Sequence, residues 1–210
     1  EQVMYLDGYP FGKTGNEYFA SFQRRIHVVK KVPFRFDKTF HVSFDFNVVP
    51  YVTGIVSQID YITKYYNDDR QEKKDFLEDD DVGFRPFEVM RILIGKEYCL
   101  KPPHNETEQL CDNLGQWLVD NEATADVLTY GDASGMSRIP GLGSLTNFKI
   151  IKRILDKYVY NENKTGKFNV SVLKRKKLLN RIFEGKFPEI EIYISEDCVE
   201  LIRDLEFLKQ

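Results

Sequence analysis

The stretch FHVSFDFNVVP, Phe40 to Pro50, alternates strictly: Val42, Phe44, Phe46 and Val48 are apolar, and His41, Ser43, Asp45 and Asn47 are polar. A period of two is the signature of a β-strand with two unlike faces. The pattern predicts a strand over about Thr39 to Val48, the spine of the domain, with the Asp45 carboxylate near its centre. An ionised group is costly to bury there unless something compensates it.

The rest of the chain is organised around that strand. After a turn at Pro50, YVTGIVSQIDYI (Tyr51 to Ile62) predicts a second strand running back as a hairpin. Asn67 to Asp81 carries eight acids against three bases and reads as a solvated loop. Phe87 to Leu100 follows as a third strand. Leu110, Leu114, Trp117 and Leu118 fall at helical spacing within Thr107 to Asn121, with Asn105 or Thr107 able to cap the start. A fourth strand, Ala125 to Tyr130, runs into GDASG. Beyond it the pattern predicts helix Leu145 to Tyr158, strand Phe168 to Leu173, helix Lys174 to Glu184, strand Ile190 to Ile194 and helix Glu196 to Leu208. Three strands in succession and then alternating helix and strand give an α/β fold: a mixed sheet of five or so strands with helices on both faces.

Composition bounds the rest. The chain has 210 residues, 42% of them hydrophobic, with 16 Phe and 12 Tyr, enough for one sizeable core. Residues 39–210 are expected to form that domain, with 1–38 as a lead-in wrapped around it. No run of eighteen apolar residues occurs, and the start EQVMYLDGYPFGKTG lacks a basic-then-apolar order, so neither a membrane span nor a signal peptide is expected. Cys99, Cys111 and Cys198 form an odd set without metal-type spacing, which suits structural burial in a reducing compartment. The string GYPFGKT falls one residue short of a phosphate loop, because only three residues separate Gly8 from Gly12.

A net charge of -3 argues against a simple basic clamp for nucleic acid, yet Lys149 to Lys186 holds twelve Lys or Arg against three acids, a local +9. Within it Lys174, Arg175, Lys176, Lys177 and Arg181 are candidates for a phosphate-facing surface. The alternative is an ordinary solvated helix face.

Three carboxylates suggest chemistry. Asp45 lies on the first strand. Asp132, in YGDASG, follows a strand end where Gly131 and Gly135 would let the backbone turn. In SEDCVELIRDLEFLKQ, Asp197, Glu200 and Asp204 share a face beside the apolar stripe of the last helix. Clustered carboxylates repel one another unless a cation neutralises them, and oxygen ligands without His or Cys select Mg2+ or Mn2+. Two such ions about 4 Å apart can activate water and stabilise the leaving oxygen of a phosphodiester. Taken singly, each Asp is equally a turn, cap or surface residue. His27, His41 and His104 have no ligand spacing, so zinc is not expected.

HVSFDFNVVPYVT, KEYCLKPPHNETEQLC, LTYGDASG and CVELIRDLE, in this order, resemble the carboxy-terminal nuclease domain of the large terminase subunit of tailed bacteriophages and prophages. The resemblance extends from about Asn16 to the end, and NEYFASFQRRIHV looks like the segment that joins the packaging ATPase to that nuclease. It implies a ribonuclease H-like fold that cuts concatemeric double-stranded DNA during genome packaging, in the cytoplasm of a bacterial host. It also implies divalent metal, two Mg2+ or Mn2+ ions, held by Asp45, Asp132 and Asp204, with Glu200 or Asp197 as rivals for the third place. Glu97 of GKEYCL reads as structural. The implied partners are double-stranded DNA and, in a full-length protein, an ATPase domain, a portal and a small terminase subunit, with no membrane. Two other readings stay open: a Holliday-junction resolvase or transposase-like nuclease of the same superfamily, and a catalytically silent DNA-binding or assembly module.

Overall fold

The fold is described from a computed structural model covering residues 17–46, 52–66, 85–104, 106–139, 141 and 143–209. The near-miss phosphate loop and the acidic run fall outside these residues. A short helix, α1 (Arg24–His27), leads into β1 (Val28–Val29). Then come β2 (Phe40–Asp45), β3 (Val52–Tyr66), β4 (Arg85–Leu100), α2 (Thr107–Asp120) and β5 (Val127–Gly131). A 3-10 turn (Ala133–Met136), α3 (Asn147–Leu155), β6 (Asn161–Asn163), α4 (Val172–Phe183), β7 (Ile190–Ser195) and α5 (Val199–Phe207) complete the order.

The strands form one mixed sheet in the order β1-β7-β4-β3-β2-β5-β6. The α/β class and the mixed sheet are as expected, but among the described residues the sheet has seven strands rather than five. Both additions are short. Val28–Val29 pairs in parallel with β7, and Asn161–Asn163 pairs in parallel with β5. Neither shows a period that two or three residues could reveal. The strand expected at Phe168 to Leu173 does not form: Val172 and Leu173 open α4, capped by Ser171, whose Oγ accepts the Lys174 N–H at 3.3 Å. Ser-Val-Leu-Lys is as good a helix start as a strand end, and the cap decides it.

The alternation of β2 sorts two cores. Phe40, Val42 and Phe44 face α2 and α3, where Leu110, Leu114, Leu118, Ile151 and Leu155 are buried against them. On the opposite face Ile192, Ile194, Cys198, Ile202, Leu205 and Phe183 pack with Phe22 from the lead-in, at the β4 and β7 side of the sheet. Truncating one of these fully buried side chains to Ala costs about 2–5 kcal/mol in comparable cores. Helices therefore cover both faces. The second core is displaced to one side of the sheet, so the polar face of β2 is left for solvent: Ser43 and Asp45 are exposed.

Candidate acidic site

β2 ends at Asp45. The carboxylate expected mid-strand is thus exposed at the strand terminus, which removes most of the burial cost that made it conspicuous in the sequence. β2 and β5 run parallel, with Ser43 opposite Tyr130 and Phe44 opposite Gly131. One step further in the same register would set Asp132, the cap of the following 3-10 turn, beside Asp45. Residues opposite one another in a sheet share a face, so the register directs both acids to the polar face, at the carboxyl ends of adjacent parallel strands. One level down, His41 and Tyr130 stack with ring centroids 5.7 Å apart, and His41 Nδ1 lies 2.9 Å from the Tyr130 hydroxyl oxygen. Burial lowers the His41 pKa from its ordinary value and raises that of Tyr130. This pair is legible in part, since His41 and Asp45 share a phase of the alternation.

Asp132 is held from two directions. Its Oδ1 accepts the Ser134 N–H at 2.8 Å, capping the 3-10 turn, and its Oδ2 accepts from Asn169 Nδ2 at 2.6 Å. The Ala133 N–H donates to Asn169 Oδ1 at 2.8 Å, so one Asn side chain clasps both the carboxylate and the next peptide. These bonds, led by that of Asn169, hold the Asp132 carboxyl below the usual carboxylate range, with the charge of Arg175 assisting. Sequence reasoning misses Asn169, because nothing local links it to a strand end 37 residues earlier. The glycines flanking Asp132 also serve differently from expectation. Neither has a positive φ. A side chain on Gly135 would instead meet the Phe46 ring and come within 2.8 Å of Phe148, so the need is for space.

On the other flank, Thr53 pairs with Asp45, and Cys99 pairs with Thr53. That row continues the same face from β2 across β3 to β4. Asp204, on α5 between the buried Ile202 and Leu205, overlooks the β4 end of the row. Its charge, with those of Glu97 and Glu200, adds to the burial that pushes the Cys99 thiol up to about 11. Burial raises the Asp204 pKa, the neighbouring Glu200 adds to this, and Arg203 opposes it. Strands lie about 4.8 Å apart, so β4 stands about 10 Å from β2. Asp45 and Asp132 thus lie at the ends of adjacent strands, while Asp204 reaches the β4 side of the sheet near Cys99. Among the described residues, however, no three His, Cys, Asp or Glu are grouped closely enough to hold a metal ion.

The rivals of Asp204 are otherwise engaged. Asp197 precedes the helix altogether and accepts from Ser195 Oγ at 3.4 Å. Glu200 pairs with Arg203 and lies 3.7 Å from Lys101. Glu97 accepts the Glu200 and Leu201 N–H groups at 2.8 and 2.9 Å, so both its oxygens cap the first turn of α5. An anion at a helix N-terminus satisfies orphan donors and complements the dipole, in keeping with the structural reading.

The basic segment is divided. α3 packs on the α2 side of the sheet, where Lys152 pairs with Asp156, Arg153 with Glu108 and Lys157 with Asp112. α4 packs on the opposite side, the side of the acids. On α4, Lys174, Arg175 and Lys177 are exposed; Lys176 lies 4.6 Å over the Tyr18 ring, and the Arg181 guanidinium lies 4.8 Å over Phe187. The helical part of the +9 is therefore split between two surfaces, and Arg175 of α4 acts on Asp132.

No helix among the described residues is long and apolar enough to cross a membrane. No protein-family model and no curated protein matches the chain. Among solved structures it is similar to the large terminase from a thermophilic bacteriophage, at 15% sequence identity and a TM-score of 0.48. The likeness covers 90% of this chain and 36% of that one, so the chain spans little more than a third of that protein's length.

Proposed function

We propose that this chain is a divalent-metal-dependent endonuclease of ribonuclease H-like fold, cutting double-stranded DNA as the nuclease part of a viral packaging terminase. The observation that carries the reading is the parallel register of β2 and β5, in which Phe44 stands opposite Gly131, so that the next residues, Asp45 and Asp132, lie at the carboxyl ends of adjacent strands. The reading agrees with the resemblance, which implies one acid each from a first strand, a later strand and a terminal helix: Asp45, Asp132 and Asp204.

The donor set is chemically suited to Mg2+ or Mn2+, being carboxylate oxygen without imidazole or thiolate. Asp45 and Asp132 would hold the cation jointly and Asp204 would complete the set. When bound, such ions supply an activated water and charge neutralisation at the scissile phosphate. The protein's own part is to aim the carboxylates: Ser134 and Asn169 fix the Asp132 oxygens, and the sheet fixes Asp45. Lys174, Arg175 and Lys177 would hold the DNA backbone at the same edge. A packaging role would add an ATPase domain, a portal and a small subunit as partners.

One observation favours the rival reading of a silent DNA-binding module. The acids are spread along a row, and Asp132 already has hydrogen-bond partners on both oxygens. Nicking of supercoiled plasmid in Mg2+ or Mn2+ separates the two. The nuclease reading expects nicking that is lost in Asp45→Asn with DNA affinity retained; wild-type protein that binds plasmid without nicking it in either metal would sink that reading.

A further inference from the structure

The segment between β6 and α4 is tied at three points. The Lys164 N–H donates to the Thr129 carbonyl at 2.8 Å, the Asn169 side chain bonds Asp132 and Ala133, and Ser171 caps α4. Between these ties Phe168 is turned outward with 87% of its surface exposed, the most exposed large apolar side chain among the described residues. Val170, Val172 and Leu173 are each more than half exposed beside it. A contiguous apolar patch on a firmly anchored segment marks a binding surface, since solvent contact is unfavourable for it. The surrounding charge identifies the occupant: from Lys164 to Lys177 there are six Lys or Arg and no acid. Cations around an exposed aromatic ring match a polymer with phosphates outside and apolar base faces inside. One residue from Phe168, Asn169 grips Asp132, so whatever seats on the ring lies beside the acidic row.

We propose that Phe168 is a base-contacting wedge: it packs on, or partly between, base faces of bound duplex DNA next to the acidic site, while Lys167, Lys174 and Arg175 take the flanking phosphates. This rests on the reading of the acidic face as a DNA site, though not on its cutting DNA. An inserted ring unstacks a base step and kinks the duplex, widening access to the backbone beside it.

The test uses the full chain in EDTA, which withholds metal from the acids, with duplex DNA carrying 2-aminopurine in place of single adenines. Wild-type protein should raise the 2-aminopurine fluorescence at one or two positions as the step unstacks. Phe168→Ala should abolish that rise and weaken binding about 5- to 150-fold. The slope of log affinity against log salt should stay unchanged, because no charge is removed. Phe168→Tyr should restore both signals. Wild-type affinity in Phe168→Ala, or no fluorescence change with wild-type protein, would overturn the wedge. So would a Phe168→Ala variant that loses only binding to phosphatidylserine vesicles, since the ring would then face lipid. A chain that shows the Phe168-dependent signal but never nicks plasmid keeps the wedge and loses the nuclease reading; one that nicks normally while Phe168→Ala binds as wild type does the reverse.

Discussion

Glu97 illustrates how much a single carboxylate can do without taking part in chemistry. Both oxygens receive N–H groups from the first turn of α5, the helix that carries Asp204. Hydrogen bonds to a charged group contribute more than neutral ones, and buried donors left without a partner are costly. Glu97→Ala is therefore expected to destabilise the fold by about 1–3 kcal/mol in urea unfolding. Glu97→Gln should recover part of the loss, keeping one acceptor without the charge. Nicking per folded molecule should survive in both variants; its disappearance would move Glu97 into the metal set. Gly135 makes the complementary point, because here an absent side chain is what matters. Gly135→Ala would press a methyl into Phe46 and Phe148, the kind of overpacking that costs about 1–3 kcal/mol. Because Asp132 caps the turn containing Gly135, thermal denaturation should show that loss alongside a nicking defect.

At the scale of elements, the β3 and β4 hairpin is fastened by charge across its register. Asp60 stands opposite Arg91 and bonds its guanidinium, and Lys38 Nζ lies 3.1 Å from the other oxygen. The Arg91 bond, then that of Lys38, holds the Asp60 carboxyl below its ordinary value. A depressed folded pKa means that the unfolded chain binds the proton more readily. The contribution is then fully present above the unfolded carboxylate pKa, about 3.9, and is lost as pH falls through the lower folded value. The stability difference between wild type and Asp60→Asn should accordingly be constant near neutrality and shrink below about pH 4. Urea midpoints measured across that range check the sign, and a gap that widens in acid would contradict it. These side chains remain partly exposed, so the difference should be small.

For the whole molecule, the division of the basic segment across the sheet governs DNA binding. A chain of net charge -3 attracts DNA through local surfaces, and α4, unlike α3, packs on the side of the acids. Replacing Lys174 and Lys177 with Ala should flatten the plot of log affinity against log salt by up to about 0.9 for each phosphate no longer neutralised. Lys152→Ala with Arg153→Ala removes the same formal charge from the opposite side and should leave the slope unchanged. Fluorescence anisotropy over a salt series distinguishes the pairs, and equal effects would mean that the DNA path does not follow α4.

What is legible in the sequence is what periodicity encodes locally. The alternation of residues 40–46 already separates the core side chains Phe40, Val42 and Phe44 from His41, Ser43 and Asp45. Likewise Leu110, Leu114 and Leu118 mark the buried stripe of α2 before any partner is known. Asp45, Asp132 and Asp204 can be nominated from strand, turn and helix positions, because each position follows from its neighbours in the chain. Only tertiary structure decides how those positions relate. The parallel register of β2 and β5 sets Phe44, the residue before Asp45, opposite Gly131, the residue before Asp132, and register is a property of paired strands. The clasp of Asn169 on Asp132, the cap of Glu97 on α5 and the separation of α3 cations from α4 cations join residues far apart in sequence. Short strands such as Val28–Val29 and Asn161–Asn163 are likewise fixed by the edges they join, since two or three residues have no period to read. A sequence carries the preference of each segment for one face or the other; which segments share a face depends on how the sheet is ordered and where the second core lies upon it.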